Sequence, residues 1–113
     1  MGISIALNEA LVFDDRGRLL NPNLTDYKVS RIGDIPKEMK VVFLGVGQKD
    51  APFGAKGIGE LTMIPWPAAI ANAIYNAIRV RIRELPLNRD RLLTEVKKQR
   101  PELIEELRRY LIG

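Results

Sequence analysis

The sequence predicts an α+β fold in which a small mixed sheet packs against several helices. Residues 40–46 form an apolar, β-branched run that is typical of a strand buried on both faces. Residues 68–78 are rich in Ala and Ile at helical spacing, which is typical of a buried helix. The chain has 113 residues, of which 46% are hydrophobic, and this size allows one small domain with a single core.

Helical and strand patterns alternate along the chain. Apolar residues recur at helical spacing at the start, and the residues around Gly17 then favour a tight turn between two short strands. Helices are predicted at residues 2–12, from Pro65 or Pro67 to Ile78, after Asn88 and from Pro101. Strands are predicted at residues 11–13, 18–20, 25–29, 40–46 and 80–84.

The last two helices carry clear signals of their own. Asn88 is a good N-cap residue, and Asp90 lies in the first turn, where the helix dipole favours a negative charge. Glu105 and Arg109 are spaced as an i,i+4 ion pair. An apolar stripe on the last helix is expected to pack against the domain, or against another chain or another copy. The stripe comprises Leu103, Ile104, Leu107 and Leu111.

Charge and composition exclude several classes of function. The formal net charge is +4, but the basic residues after Arg79 are interleaved with acidic ones, which favours a solvated helical face over a nucleic-acid surface. The chain contains no Cys and no His, which excludes disulfides, cysteine-bound iron–sulfur clusters and histidine metal ligands within it. With no apolar run near the roughly 20 residues of a membrane span and no secretory signal, a cytoplasmic location is expected.

The most informative segment is residues 51–60, which places Gly54, Gly57 and Gly59 ahead of Glu60. Glycine can adopt positive φ and lets a ligand approach the main chain, at an entropic cost that ordinary loops avoid. Backbone amides exposed in this way can bind an anion or an oxo group. This pattern therefore predicts a ligand site in the loop.

Nucleotide-binding motifs do not fit the spacing of this loop. A P-loop places Lys after its final Gly, whereas Lys56 precedes Gly57, and the dinucleotide fingerprint opens a helix directly. Lys56 can contact a phosphate or point into water, and the second is the simpler interpretation. Phe53 can line a substrate entrance or be a buried structural residue. Trp66 is expected to anchor the entrance of the following helix.

Residues 51–60 resemble the active-site loop of the molybdenum hydroxylases, the xanthine dehydrogenase and aldehyde oxidoreductase family. Further segments resemble the C-terminal region of that family's molybdopterin-binding subunit in the same order: residues 6–10, 17–28, 31–36, 69–75 and 80–87. Several motifs in register are more specific than a single glycine pattern. Catalytic subunits of the family are much longer, so the resemblance implies that this chain corresponds to the last part of one.

Three positions depart from the family's pattern. The family usually has a Gln before Gly2 that helps to hold the cofactor, and here that position is Met1. Leu61-Thr62 stands in place of Pro-Pro, and residues 77–79 read Ala-Ile-Arg in place of Ala-Thr-Gly. The first departure leaves the cofactor contacts at that end open.

The resemblance implies a catalytic role for Glu60, as the general base in the water-derived hydroxylation of an aldehyde or N-heterocycle. Gly57, Ile58 and Gly59 would contact a molybdenum-molybdopterin cofactor, expected as a dinucleotide and completed by another chain. Phe53 would contact the substrate, and no residue of the chain is expected as a metal ligand.

The resemblance also implies partners. These are the remainder of the molybdopterin-binding subunit, iron–sulfur and FAD subunits and a small-molecule substrate, with a homo-oligomer through the last helix as a further expectation. Residues 1–93 would belong to the cofactor-binding domain, and residues 94–113 would form an amphipathic helical tail. Such a fragment or split subunit is expected to be inactive alone. The alternative is a non-catalytic remnant that acts as a small structural or protein-interaction module.

Overall fold

The computed structural model describes residues 1–112 and is built almost entirely from helices joined by irregular segments. The α-helices are α1 (Gly2–Leu7), α2 (Leu24–Tyr27), α3 (Trp66–Ile78), α4 (Arg89–Gln99) and α5 (Pro101–Ile112). Short 3-10 turns lie at Ile32–Asp34 and Pro52–Gly54. The radius of gyration is 18.8 Å, whereas a compact domain of this size has about 13 Å. The chain is therefore elongated rather than closed around one large core.

The predicted mixed sheet is not confirmed. Within residues 1–112, strand pairing is limited to one antiparallel bridge between Phe13 and Leu19, inside the predicted hairpin. Gly17 has a φ of 75° at the turn, as a short hairpin connection requires. A two-stranded hairpin is marginal without further strands, which explains why the pairing stops at one bridge.

The strand prediction at residues 25–29 is wrong because a helix cap decides the local structure. The side chain of Asn23 accepts hydrogen bonds from the backbone N–H groups of Thr25 and Asp26, at 3.0 and 3.2 Å. These bonds satisfy two donors that open a helix, and α2 forms instead of a strand. Lys28 then ends α2 in the left-handed conformation, with a φ of 62°.

Residues 40–46, predicted as a strand buried on both faces, have no regular secondary structure and are exposed. Val41, Phe43 and Leu44 retain 74%, 78% and 84% of their accessible surface. Burial on both faces requires neighbouring strands and a covering layer on each side. The described residues supply neither, so the segment remains irregular.

Residues 80–84 follow the predicted alternation without a partner strand. Val80 and Ile82 are buried, while Arg83 is exposed. The side-chain amide of Gln99 takes the place of a neighbouring strand: its Nε2 donates to the carbonyl oxygen of Arg81 at 2.8 Å, and its Oε1 accepts from the Arg81 N–H at 2.9 Å. A residue of α4 therefore supplies the pairing that a sheet would otherwise give.

The hydrophobic core lies where this extended segment meets the helices. Its buried residues are Val80, Ile82, Leu87 and Val96. Partly buried residues from α1, α3, α4 and α5 pack against them: Leu7, Ile70, Ala71, Ile74, Ile78, Leu92, Leu103 and Ile104. Only one face of α3 contributes, and α3 contains no fully buried residue. The prediction that α3 is buried all round is therefore wrong for the described chain.

The helix start signals are confirmed. Asn88 Oδ1 accepts the backbone N–H of Arg91 at 2.9 Å, α3 begins directly after Pro65, and α5 begins at Pro101. Glu105 pairs with Arg108 at 3.0 Å, rather than with the residue one position further along. Among residues 1–112, no helix is both long enough and apolar enough to cross a lipid bilayer.

Helix α1 connects the core with the start of α3. At one end, the carbonyl oxygen of Ala6 accepts the N–H of Leu87 at 2.6 Å. At the other end, Gly2 lies against the indole ring of Trp66, where an added Cβ would come within 2.1 Å of the ring atom Cδ1. Only glycine permits this approach, so α1 and α3 meet at Gly2.

Candidate functional site

The glycine loop comprises residues 51–60, and backbone hydrogen bonds close its first part. The N–H of Gln48 donates to the carbonyl oxygen of Gly54 at 3.1 Å, and the N–H of Gly54 donates to that of Ala51 at 2.9 Å. Gly54 has a φ of 74°, which is a left-handed backbone conformation. Residues with a Cβ atom adopt this conformation only at a cost in free energy. Of the loop glycines, Gly54 is therefore the one that the backbone conformation requires.

Phe53 lies at the tip of this closed loop. Its φ is 55°, which is unusual for an aromatic residue, and its side chain is fully exposed at 110% of the reference area. Its interpretation as a buried structural residue is therefore wrong for the described chain. An exposed aromatic ring in a strained conformation is a feature that functional loops often hold.

The backbone conformation does not require glycine at Gly57 and Gly59, as it does at Gly54. Neither has a positive φ, and a Cβ added at either position would meet nothing within 4 Å. Ile58 lies between them and is also exposed. These positions leave open space next to the main chain, which is what the close approach of a ligand needs.

Glu60 begins a hydrogen-bonded turn that leads into α3. Its carbonyl oxygen accepts the N–H groups of Met63 and Ile64, at 2.8 and 3.1 Å. The Thr62 hydroxyl donates to the carbonyl oxygen of Gly59 at 3.2 Å. The backbone on both sides of Glu60 is thus fixed, while the Glu60 residue itself is exposed. We refer to residues 59–64 as the Glu60 turn.

A cavity of about 400 Å³ lies between the Glu60 turn and the start of α1. It is lined by Met1, Gly2, Ile3, Met39, Gly59, Thr62, Met63 and Trp66. Its volume is within the range of small-molecule sites, and most of its lining is apolar. Of the predicted site residues, Gly59 lines this cavity, and Phe53, Gly57, Ile58 and Glu60 are not among its lining residues.

Sequence reasoning assigned Trp66 to the helix entrance but did not connect it with α1. The indole Nε1–H donates to the carbonyl oxygen of Thr62 at 2.6 Å, and the ring packs against Gly2. Gly2 is 64 positions earlier in the chain, so spacing alone gives no sign of this contact. The one available signal was that the chain has a single Trp, placed at the start of a helix directly after the loop.

The described residues offer a limited set of chemical groups at this site. Across residues 1–112, no group of three or more His, Cys, Asp or Glu side chains is placed to hold a metal ion. The loop provides a carboxylate at Glu60, open backbone at Gly57 and Gly59, and an exposed ring at Phe53. This arrangement can accept a proton and can bind a ligand through backbone amides, when other groups complete the site.

The carboxylates with altered pKa values lie away from the loop. Backbone and side-chain hydrogen bonds from Arg18 lower the pKa of Asp14 in the hairpin. The side-chain hydrogen bond from Arg100 lowers the pKa of Glu102 at the start of α5. These ion pairs are exposed and support local structure rather than catalysis.

Comparison with known protein families identifies a cofactor-binding domain. Residues 1–36 match the molybdopterin cofactor-binding domain family. The chain is 43% identical over 98 residues to the aldehyde oxidoreductase molybdenum-binding subunit PaoC of Escherichia coli (strain K12), covering 85% of this chain and 13% of that subunit. It is 40% identical over 96 residues to the xanthine dehydrogenase molybdenum-binding subunit of Escherichia coli O157:H7, covering 84% of this chain and 13% of that subunit.

A solved structure agrees with these sequence relatives. Quinoline 2-oxidoreductase from Pseudomonas putida 86 superimposes with a TM-score of 0.73 at 30% identity, covering 85% of this chain and 13% of that one. The chain thus spans about an eighth of the length of each of these proteins, since the covered share is 13% in every case.

Proposed function

Because this chain belongs to the xanthine dehydrogenase and aldehyde oxidoreductase family of molybdenum hydroxylases, we propose that it is part of a molybdopterin-binding subunit and supplies Glu60 as the general base. The reaction would be the water-derived hydroxylation of an aldehyde or N-heterocycle. The observation that carries this proposal is an exposed carboxylate on a hydrogen-bonded turn, directly after the open backbone at Gly57 and Gly59.

The open backbone and exposed amides of the loop support the proposal of a molybdenum-molybdopterin cofactor. Gly57 and Gly59 present main chain with open space on the Cβ side, and Gly59 also borders the 400 Å³ cavity. Exposed amides at Gly57, Ile58 and Gly59 suit an anionic, oxygen-rich group. When bound, this cofactor supplies the redox chemistry of the hydroxylation. The proposal includes its dinucleotide form, with iron–sulfur and FAD centres on partner subunits.

The proposed role of Glu60 is proton transfer. A general base must reach within about 2.6–3.2 Å of the heavy atom that carries the proton, so a fixed backbone helps to place its side chain. The hydrogen bonds from Met63 and Ile64 to the Glu60 carbonyl oxygen provide that fixed backbone. The remainder of the subunit would cover the exposed carboxylate, exclude water and bring the substrate to it, with Phe53 at the entrance.

The exposed apolar surface supports docking into a larger subunit. At least two-thirds of the surface is exposed at each of four consecutive apolar residues, Val41, Val42, Phe43 and Leu44. Contact between this apolar surface and water is energetically unfavourable in a free chain. We propose that residues 40–46 become a strand when they pair with strands of the remaining subunit, which would restore the predicted mixed sheet. Parallel or mixed sheets covered on both faces need apolar runs of this kind.

Two further assignments belong to the same proposal. Residues 1–93 would belong to the cofactor-binding domain, and residues 94–113, of which Gly113 lies outside the described residues, would be a helical extension available for contacts with another copy. The proposal also holds that the chain is inactive without the other chain, which would complete the cofactor site.

The experiment that tests the proposal is purification of the tagged chain from its native cells, with molybdenum measured in any assembly that it enters. Glu60→Gln is expected to lower kcat about 10²- to 10⁴-fold, the usual contribution of a general base, at unchanged molybdenum content. Glu38→Gln is the matched control, because Glu38 is also exposed but lies outside the loop. Its kcat is expected to equal that of the unmodified protein.

The second candidate is a non-catalytic structural or protein-interaction module. The observation that favours it is the same exposed apolar surface, which would bind a partner whether or not a cofactor is present. Recovery of the chain only in metal-free complexes would support this candidate and contradict the hydroxylase proposal, as would a molybdenum-bearing assembly whose activity survives Glu60→Gln.

A further inference from the structure

We propose that Trp66 is a positioning residue that fixes the Glu60 turn against the start of α1. The structural part of this inference concerns residues of this chain alone. Its consequence for catalysis rests on the proposed role of Glu60.

The first contact joins Trp66 to the turn. The indole N–H is a donor only, and it donates to the carbonyl oxygen of Thr62 at 2.6 Å. The hydroxyl of the same threonine donates to the carbonyl oxygen of Gly59 at 3.2 Å. Thr62 therefore links Trp66 to the residue that directly precedes Glu60.

The second contact joins Trp66 to α1. A Cβ at Gly2 would lie 2.1 Å from Cδ1, 2.6 Å from Cγ and 3.0 Å from Nε1 of the Trp66 ring. Real Cβ atoms do not approach this closely, so any larger residue at Gly2 must displace the ring. The close approach of α1 at Gly2 therefore restricts movement of the Trp66 ring on that side.

These contacts complete a path from the core to the proposed base. Core residue Leu87 is hydrogen-bonded to Ala6 in α1, at 2.6 Å. Helix α1 then meets Trp66 through Gly2, and Trp66 holds Thr62. The bonds from Met63 and Ile64 to the Glu60 carbonyl oxygen set the internal shape of the turn. The Trp66 contacts set where that turn lies relative to the cavity and α1.

The only tryptophan of the chain is itself the probe for the first test. Gly2→Ala is expected to move the fluorescence emission of Trp66 to longer wavelength, because the displaced ring becomes more exposed to water. Gly33→Ala is the matched control, since a Cβ at Gly33 meets nothing within 4 Å and its φ is not positive. An unchanged emission maximum in Gly2→Ala would overturn the inference, as would an equal shift in both variants.

Hydrogen exchange provides a second readout on the turn itself. Trp66→Phe keeps an aromatic ring but removes the N–H donor, and Thr62→Val removes the hydroxyl on the other side of the link. Both are expected to increase exchange at the amides of Met63 and Ile64, whereas Thr62→Ser, which keeps the hydroxyl, is expected to restore protection. Unchanged exchange in both Trp66→Phe and Thr62→Val would contradict the positioning role.

The catalytic consequence is measured in the molybdenum-bearing assembly. Trp66→Phe is expected to lower kcat about 10- to 100-fold, as loss of a supporting contact at a metal site commonly does, with KM and molybdenum content unchanged. An unchanged kcat alongside faster exchange would show that Trp66 holds the turn without serving catalysis, and would overturn the catalytic part. If Glu60→Gln retains activity while the fluorescence result holds, the proposed function fails and the structural contact stands.

Discussion

At the scale of single residues, the loop uses glycine for two different physical reasons. Gly54 adopts a φ of 74°, so its backbone conformation demands glycine. Gly57 and Gly59 have ordinary backbone conformations and open space, so their glycines leave room for a ligand. The sequence alone does not distinguish these three glycines. The backbone φ angles separate Gly54, which needs a positive φ, from Gly57 and Gly59, for which we propose space for a ligand.

This difference predicts opposite results for two alanine variants. Gly54→Ala is expected to lower the free energy of unfolding by about 1–2 kcal/mol, because alanine must adopt the left-handed conformation. Gly57→Ala is expected to change it by less than about 0.5 kcal/mol, but to lower the molybdenum content of the assembly by filling the open space. Urea unfolding and metal analysis measure the two effects. Equal losses of stability would refute the separation.

Asp14 predicts a dependence of hairpin stability on acid pH. Hydrogen bonds from Arg18 and Arg16 lower its pKa from the ordinary value of 3.8. A lowered pKa means that the stabilisation is present above the unfolded-state pKa and is lost as the pH falls through the folded-state pKa. Asp14→Asn should therefore destabilise the chain at pH 7, and the difference should disappear once the pH falls below the lowered folded-state pKa of Asp14. Urea unfolding at several pH values measures this, with Asp15→Asn as the control.

At the level of secondary-structure elements, the starts of α1, α3, α4 and α5 were predicted correctly, whereas α2 was predicted as a strand and the predicted sheet is not confirmed. Asn88 and Pro101 act through neighbouring backbone groups, so their signals are complete within a few residues of sequence. A strand depends on partners that are distant in the chain. Residues 80–84 keep the alternating burial of a strand only because Gln99 of α4 supplies hydrogen bonds to Arg81.

The cap on α4 predicts a stability effect that can be isolated. Asn88→Ala is expected to cost about 1 kcal/mol, because the N–H of Arg91 loses its acceptor, while Asn88→Asp retains most of the stability. Asn76→Ala is the control, since Asn76 is exposed within α3, where alanine favours the helix. Thermal unfolding monitored by circular dichroism compares the three variants. A neutral Asn88→Ala would show that α4 is held by core packing alone.

At the scale of the whole molecule, a small hydrophobic core is combined with a large exposed apolar surface. Among the described residues, five hydrophobic residues are buried: Ala6, Val80, Ile82, Leu87 and Val96. Many large apolar residues are exposed, and the longest dimension is 62 Å. A small core and an extended shape support the proposal that this segment packs against a partner surface.

The exposed segment at residues 40–46 predicts that assembly and stability will respond differently to mutation. Leu44→Asp is expected to leave the free energy of unfolding of the isolated chain within about 0.5 kcal/mol, because Leu44 is exposed there. The same change is expected to prevent entry into the larger assembly, because a charge would be buried in the sheet. Leu24→Asp is the matched control on α2, at 76% exposure against 84% for Leu44. Co-purification that tolerates Leu44→Asp would contradict docking through this segment.

Several features that depend on neighbouring residues could be predicted from the amino-acid sequence alone. These include the starts of four of the five α-helices, the turn at Gly17, the glycine loop ending at Glu60, and the motifs whose order indicated the molybdenum hydroxylase family. Such features are encoded locally, because caps, positive φ and motif spacing involve residues only a few positions apart.

Only the tertiary structure decided the features that depend on distant residues. It showed that Gly2 meets Trp66, that Gln99 replaces a strand partner of Arg81, and that residues 40–46 remain unpaired. Contacts between residues tens of positions apart depend on how the helices pack, and packing depends on every surface that the chain meets. Residues 1–112 do not form the predicted mixed sheet, and we propose that residues 40–46 pair as a strand only when the rest of the subunit supplies neighbouring strands.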